Sequence, residues 1–233
     1  MKTDRGADES FIEARLIRWS GLAGMLGGAA MALFVIVHPW GRFVGAEVAR
    51  TTAWRIAHSL HFVGATLALL GLVGLYARQS RQAGRLGLVG FVVAFIGTAM
   101  FVGTGMITAF VWPMLAQHAP AVVEHDGAMF TLPALIALAL TAAGVSVGYV
   151  LFGIATLRAG ILPRTGTLLL VVGAVLGMAP PQPLGPMPWA GLVLGGVMFG
   201  GGSAWLGYAL WSEPSARAEW TDTVANHNER AGP

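Results

Sequence analysis

His58 and His61 stand three residues apart near the start of the apolar run WRIAHSLHFVGATLALLGLVGLY, residues 54–76. On a helix that spacing projects both rings from one face, about 4.5 Å apart along the axis. A hydrocarbon interior penalises polar groups, so histidines in a membrane-spanning run are candidates for function. His38 closes the preceding apolar run. His118 and His125 follow the next one, with Glu124 and Asp126 beside them and Gly127 to let the chain turn. Neutral imidazole is the commonest protein ligand of transition metals. Two helical histidines with a loop histidine or carboxylate make a donor set for Zn, Cu(II) or Fe. The sequence thus nominates His58, His61, His118, Glu124, His125 and Asp126 as metal ligands, and His38, His58 and His61 as a cofactor site. Haem b ranks lower, because His38 ends its helix while His58 and His61 lie one and nearly two turns into the next. The bland alternative has no cofactor, the histidines simply bonding to backbone or water.

The elements that must position these residues are membrane-spanning. The chain is 55% hydrophobic and 11% charged, against about 25% charged for a soluble domain. Six apolar segments, at about 19–38, 54–76, 86–112, 132–157, 161–179 and 189–211, each approach the ~20 residues that cross a bilayer. Pro39 and Pro113 are expected to end the first and third. Ser10 and Glu13 have capping-box spacing and predict a helix start near Phe11. The expected architecture is an all-α polytopic integral membrane protein: six transmembrane helices in a Gly-rich bundle. It divides into an N-terminal segment (1–18) with an interfacial helix, a membrane domain (19–211) and a polar, disordered tail (212–233).

Charge placement sets the orientation. Lys2, Arg5, Arg15, Arg18, Arg78, Arg81, Arg85, Arg158, Arg164, Arg217 and Arg230 fall on the side of the termini; only Arg42, Arg50 and Arg55 fall opposite. Eleven against three places both termini in the cytoplasm and the five juxtamembrane histidines outside, in a multi-pass protein of a bacterial cytoplasmic membrane. Trp40, Trp54, Trp112 and Trp189 lie at span ends on that outer side and read as an aromatic belt.

The net charge of +3 reflects these flanking arginines and forms no basic domain for nucleic acid. Absent cysteine excludes thiolate metal sites, iron–sulfur clusters and thiol catalysis. Lys2 is the sole lysine, so no intramembrane Schiff base can form. No phosphate-binding loop, dinucleotide fingerprint or nucleophilic serine motif occurs, and no catalytic residue is nominated. Gly24/Gly28, Gly173/Gly177, Gly191/Gly195 and Gly196/Gly200 have GxxxG spacing, suited to close helix packing within the bundle or against other membrane subunits.

The leading expectation is a small membrane protein with a metal-binding His/carboxylate cluster at its extracytoplasmic face, serving redox chemistry or a larger membrane complex. Thr98, Thr104 and Thr108, interleaved with Gly97, Gly103 and Gly105, suggest the first alternative: a carrier or channel for a small neutral solute. Intrahelical hydroxyl bonding is the ordinary account of such threonines. A purely structural subunit is the second alternative.

Overall fold

The computed structural model describes residues 2–40, 45–124, 126–179 and 189–213, with side chains from Ile12 onward. Arg42, His125, the Pro-rich stretch 180–188 and the tail from 214, which includes His227, lie outside the described residues.

The chain is helical, and no strand occurs among the described residues. Helix α1 spans Lys2–Val37 without a break. Its start lies well before the expected one near Phe11, so Ser10 is not its N-cap residue. Lysine, arginine, alanine and glutamate in the opening turns are good helix formers and extend it. A short helix, α2 (Ala46–Ala49), precedes α3 (Thr52–Met106). The N-cap Thr51 accepts the backbone N–H of Trp54 at 3.1 Å, a bond that satisfies an otherwise orphaned donor.

A straight helix of 55 residues would extend roughly 80 Å. Instead α3 folds back on itself at Gly84, whose φ of 59° and ψ of −156° are not helical. Tyr76 stacks on Phe91 at 4.3 Å between ring centroids, and the Trp54 indole N–H donates to the Thr108 carbonyl at 2.9 Å. Residues 52–83 and 85–106 are therefore antiparallel arms of one hairpin. Glycine suits the turn because L side chains rarely adopt positive φ.

The second arm does not stop at Pro113. A π-helical turn at Ile107–Val111 leads into α4 (Trp112–His118). Proline lacks an N–H and crowds the carbonyl four residues back, and a widened turn just before it relieves both demands. Two 3₁₀ turns, Pro120–Val123 and Ala128–Phe130, lead to α5 (Leu132–Ala159). The fold closes with α6 (Arg164–Met178) and α7 (Ala190–Ser212).

Among the described residues, four helical stretches are long and apolar enough to cross a membrane: Ile12–Val37, Thr52–His118, Leu132–Ala159 and Ala190–Ser212. Helix α6 is apolar but shorter, at 15 residues. The rods pack as a closed ring, in which α1 lies between the first α3 arm and α7. The second arm meets α5, the C-terminal half of α5 meets α6, and α6 meets α7. Bare glycine backbone makes the closest approaches. A Cβ at Gly28 would collide with the Gly200 carbonyl of α7, and one at Gly97 with Gly144 of α5. Most of the GxxxG glycines thus face neighbouring helices of the same chain, whereas Gly191 has open space beside it.

The ring is filled at one end and hollow at the other. Near the hairpin turn Leu72, Leu75, Tyr149, Phe152, Leu206 and Leu210 form a dense core. Buried Gln79 donates to Thr156 at 2.8 Å, and Arg78 pairs with Glu213 at 2.8 Å. The opposite end is capped by α2, α4 and the first 3₁₀ turn, with Trp54, Trp112, Ala116 and Val123 buried between them. Large apolar side chains such as Leu33, Ile36, Leu70, Val89 and Ile136 are exposed.

Candidate functional site

Beneath that cap lies a cavity of about 620 Å³ to which both α3 arms and α1, α5, α6 and α7 contribute. Its lining is almost entirely apolar and, among the described residues, includes no Asp, Glu, Lys or Arg. Three imidazoles line its capped end: His38 from the end of α1, and His58 and His61 from the first arm of α3. Their relative exposures are 6%, 6% and 3%.

Local sequence explains their orientation. Trp54, His58, His61, Ala65 and Ala68 recur at helical spacing, form one stripe of α3, and are all buried. The bulky members sit at the capped end, and the alanines below them leave room for the cavity. On α1, Phe34 and His38 are likewise one turn apart.

Phe34 is the common neighbour of the three rings. Its centroid lies 5.7 Å from His38, 5.6 Å from His58 and 4.8 Å from His61, on which it stacks. His38 and His58 are 5.2 Å apart between centroids, and His58 and His61 are 6.1 Å apart. Further aromatics close the box: Trp54 at 4.0 Å from His58, Trp40 at 4.2 Å from His38, and Phe101 at 4.1 Å from His61.

Hydrogen bonding singles out two of these residues. Both ring nitrogens of His58 and of His61 are buried without a hydrogen-bond partner among the described residues. The Phe101 backbone is near enough to His61 to bear on it electrostatically, but outside hydrogen-bond geometry. The cavity hydroxyls, in contrast, are committed. Thr98 bonds to the Ala94 carbonyl at 2.7 Å and lies 3.3 Å from the Tyr149 hydroxyl. Thr104 and Thr108 bond to carbonyls one turn back, Met100 and Thr104. This is the intrahelical pattern expected of threonines in apolar helices.

Of the residues nominated from sequence, His38, His58 and His61 converge. The described loop donors do not join them. Glu124 accepts the Ala46 backbone N–H at 3.0 Å, tying its loop to α2. His118 and Asp126 are exposed, and His125 lies outside the described residues. Among the described residues no three histidine or acidic side chains are placed to hold a metal ion. Arg50 serves the cap, its guanidinium donating to the Ala116 carbonyl, through Nε at 2.8 Å.

The expected aromatic belt is corrected at two of its four members, Trp54 and Trp112. Trp54 and Trp112 are buried and stacked on each other at 5.3 Å with an interplanar angle of 6°. Both indoles point into the bundle because the cap covers them. Sequence reading also missed Phe34, Phe101 and the cavity itself. The stripe of alanines following His61 was the available signal for the cavity.

Helical architecture, apolar helices of membrane-crossing length and a histidine-ended cavity define the class of molecule. No family model, curated protein or solved structure matches the chain.

Proposed function

We propose that this is an integral membrane protein that binds a small, mostly apolar molecule inside its helical ring, using His58 and His61 to hold the ligand's polar group. In this reading the two α3 arms and α6 also cross, giving six spans with both termini in the cytoplasm and the histidines near the outer face. The supporting observation is the coincidence of an apolar cavity of about 620 Å³ with buried imidazoles, His58 and His61, that have no hydrogen-bond partner among the described residues. Cavities of about 300–1,000 Å³ with few polar groups are typical small-molecule sites. A neutral imidazole offers one N–H donor and one acceptor nitrogen, so each histidine can bond a carbonyl or a hydroxyl. With no fixed charge among the described lining residues, an ionic ligand would find no counter-charge there to offset its desolvation.

The test uses naphthol, an apolar bicycle with one hydroxyl, and the purified protein in lipid nanodiscs. Saturable binding at one site per chain is expected from quenching of tryptophan fluorescence. His58→Leu and His61→Leu together should weaken it by roughly tenfold, since two lost hydrogen bonds cost about 1–3 kcal/mol together. Ala142→Trp, which fills the cavity, should abolish it. Linear partitioning equal to that of protein-free nanodiscs would refute the proposal.

The same unpartnered nitrogens favour a second reading, in which His58 and His61 with His38 hold a transition-metal ion, or less readily haem b. The rings would first have to turn away from Phe34, which all three now flank. Near-stoichiometric metal in the purified protein, lost in His58→Ala, would establish it over the first.

A further inference from the structure

The cavity is not equally enclosed on all sides. Its lining residues on α1, both α3 arms, α6 and α7 are buried or half-buried, whereas three on α5 are exposed: Leu135, Leu138 and Ala139. Leu135 and Leu138 are 45% and 52% exposed although they face the cavity. With Ala142 they form an i, i+3, i+4, i+7 stripe, the cavity-facing side of the first turns of α5.

The packing of the neighbours explains this opening. Helix α5 meets α6 low on the bundle, where Gly153 packs on Val171 and Thr167. Toward the capped end α6 turns to α7 instead, with Gly173 against Phe199 and Gly177 against Gly195. Among the described residues, the start of α5 and the end of α6 therefore flank a lateral mouth. In a membrane that mouth faces acyl chains.

We infer that the ligand is a lipid-chain quinone or quinol: its planar ring lies among Phe34, Trp40, His58, His61 and Phe101, and its chain leaves between α5 and α6 into the bilayer. The inference rests on the ligand-binding reading above and deepens it. A flat ring suits the aromatic walls, which favour stacked and edge-on contacts. Ring oxygens suit the two imidazoles. A quinone carbonyl accepts from an imidazole N–H and a quinol hydroxyl donates to the bare nitrogen, so the same pair serves both forms. The apolar mouth admits a hydrocarbon chain, and the described lining residues, none of them charged, disfavour phosphate or carboxylate head groups.

The test uses a dimethoxy-benzoquinone carrying a decyl chain with a terminal diazirine, and the full-length protein in nanodiscs. Photolysis and peptide mapping should find adducts on α5 within 132–142 and on α6 within 172–178. Adducts should be lost in the His58→Leu/His61→Leu pair and in Leu138→Trp, which obstructs the mouth. Adducts confined to α1 or to the capping turns, or spread alike over wild type and the histidine pair, would overturn the inference. So would displacement of bound naphthol by cholesterol but not by the decyl quinone. If naphthol binds and the quinone does not, this inference falls and the ligand-binding reading stands; if neither binds, both fall.

Discussion

Each buried polar group without a hydrogen-bond partner weighs against folding by roughly 1–3 kcal/mol, and among the described residues His58 and His61 present four such nitrogens around one phenyl ring. Leucine has a comparable volume and no polar atoms, so the His58→Leu/His61→Leu protein should be at least as stable as wild type without ligand. Its unfolding midpoint in detergent, followed by tryptophan emission, is expected to be unchanged or higher, while naphthol affinity falls. A midpoint several degrees lower would mean that the imidazoles hold the helices together and that their burial is structural. Trp54 provides the contrast. Its indole N–H bridges the two α3 arms to the Thr108 carbonyl. Trp54→Phe keeps an aromatic ring against His58 but leaves that carbonyl without the indole donor. The midpoint should drop by the equivalent of about 1 kcal/mol, the usual net contribution of one hydrogen bond. An unchanged midpoint would show that the bridge contributes nothing.

At the scale of elements, Gly84 decides the topology. Nothing lies within 4 Å of where its Cβ would be, so space does not select glycine there; φ of 59° with ψ of −156° does. Gly84→Ala should destabilise the hairpin by roughly 1–3 kcal/mol, the range for a non-glycine residue forced into a sparsely populated backbone region. Gly103→Ala, also in open space but in helical backbone, should be neutral or slightly stabilising. Equal midpoints for the two variants would refute this assignment. The apolar segments were legible in the sequence because length and hydropathy alone determine them. The helix end expected at Pro113 was misplaced because a π-helical turn accommodates the proline, and that turn answers to local geometry rather than composition. The histidine trio was legible as spacing on two neighbouring helices. Its separation from Glu124 was not, because that carboxylate is claimed by the Ala46 N–H of α2, a four-residue helix that no periodicity announces.

At the scale of the whole molecule, the hairpin and the short α6 determine how many times the chain would cross in the proposed topology. The fold puts the Gly84 turn and the α5–α6 junction at the dense end of the ring, and α2 with α4 at the capped end. Basic residues divide the same way. Arg78, Arg81, Arg85, Arg158 and Arg164 belong to the dense end, which the proposed orientation, following the positive-inside rule, puts in the cytoplasm. The cavity would then lie in the outer half of the bilayer, and its ligand would be drawn from lipid on that side. The absence of cysteine makes a clean measurement available, since any introduced thiol is the only one to react. Gln82→Cys and Arg164→Cys should resist a membrane-impermeant maleimide in intact cells and react after permeabilisation. His118→Cys should react in both conditions. Gln182→Cys tests α6 directly: labelling from outside requires that its 15 residues, about 22 Å of helix, carry the chain across a thinned or locally filled bilayer. Protection of position 182 together with 164 would leave α6 on the cytoplasmic side and send the tail outward. The cavity's α6 wall would then have no membrane-embedded counterpart, and the lateral mouth would have to be abandoned.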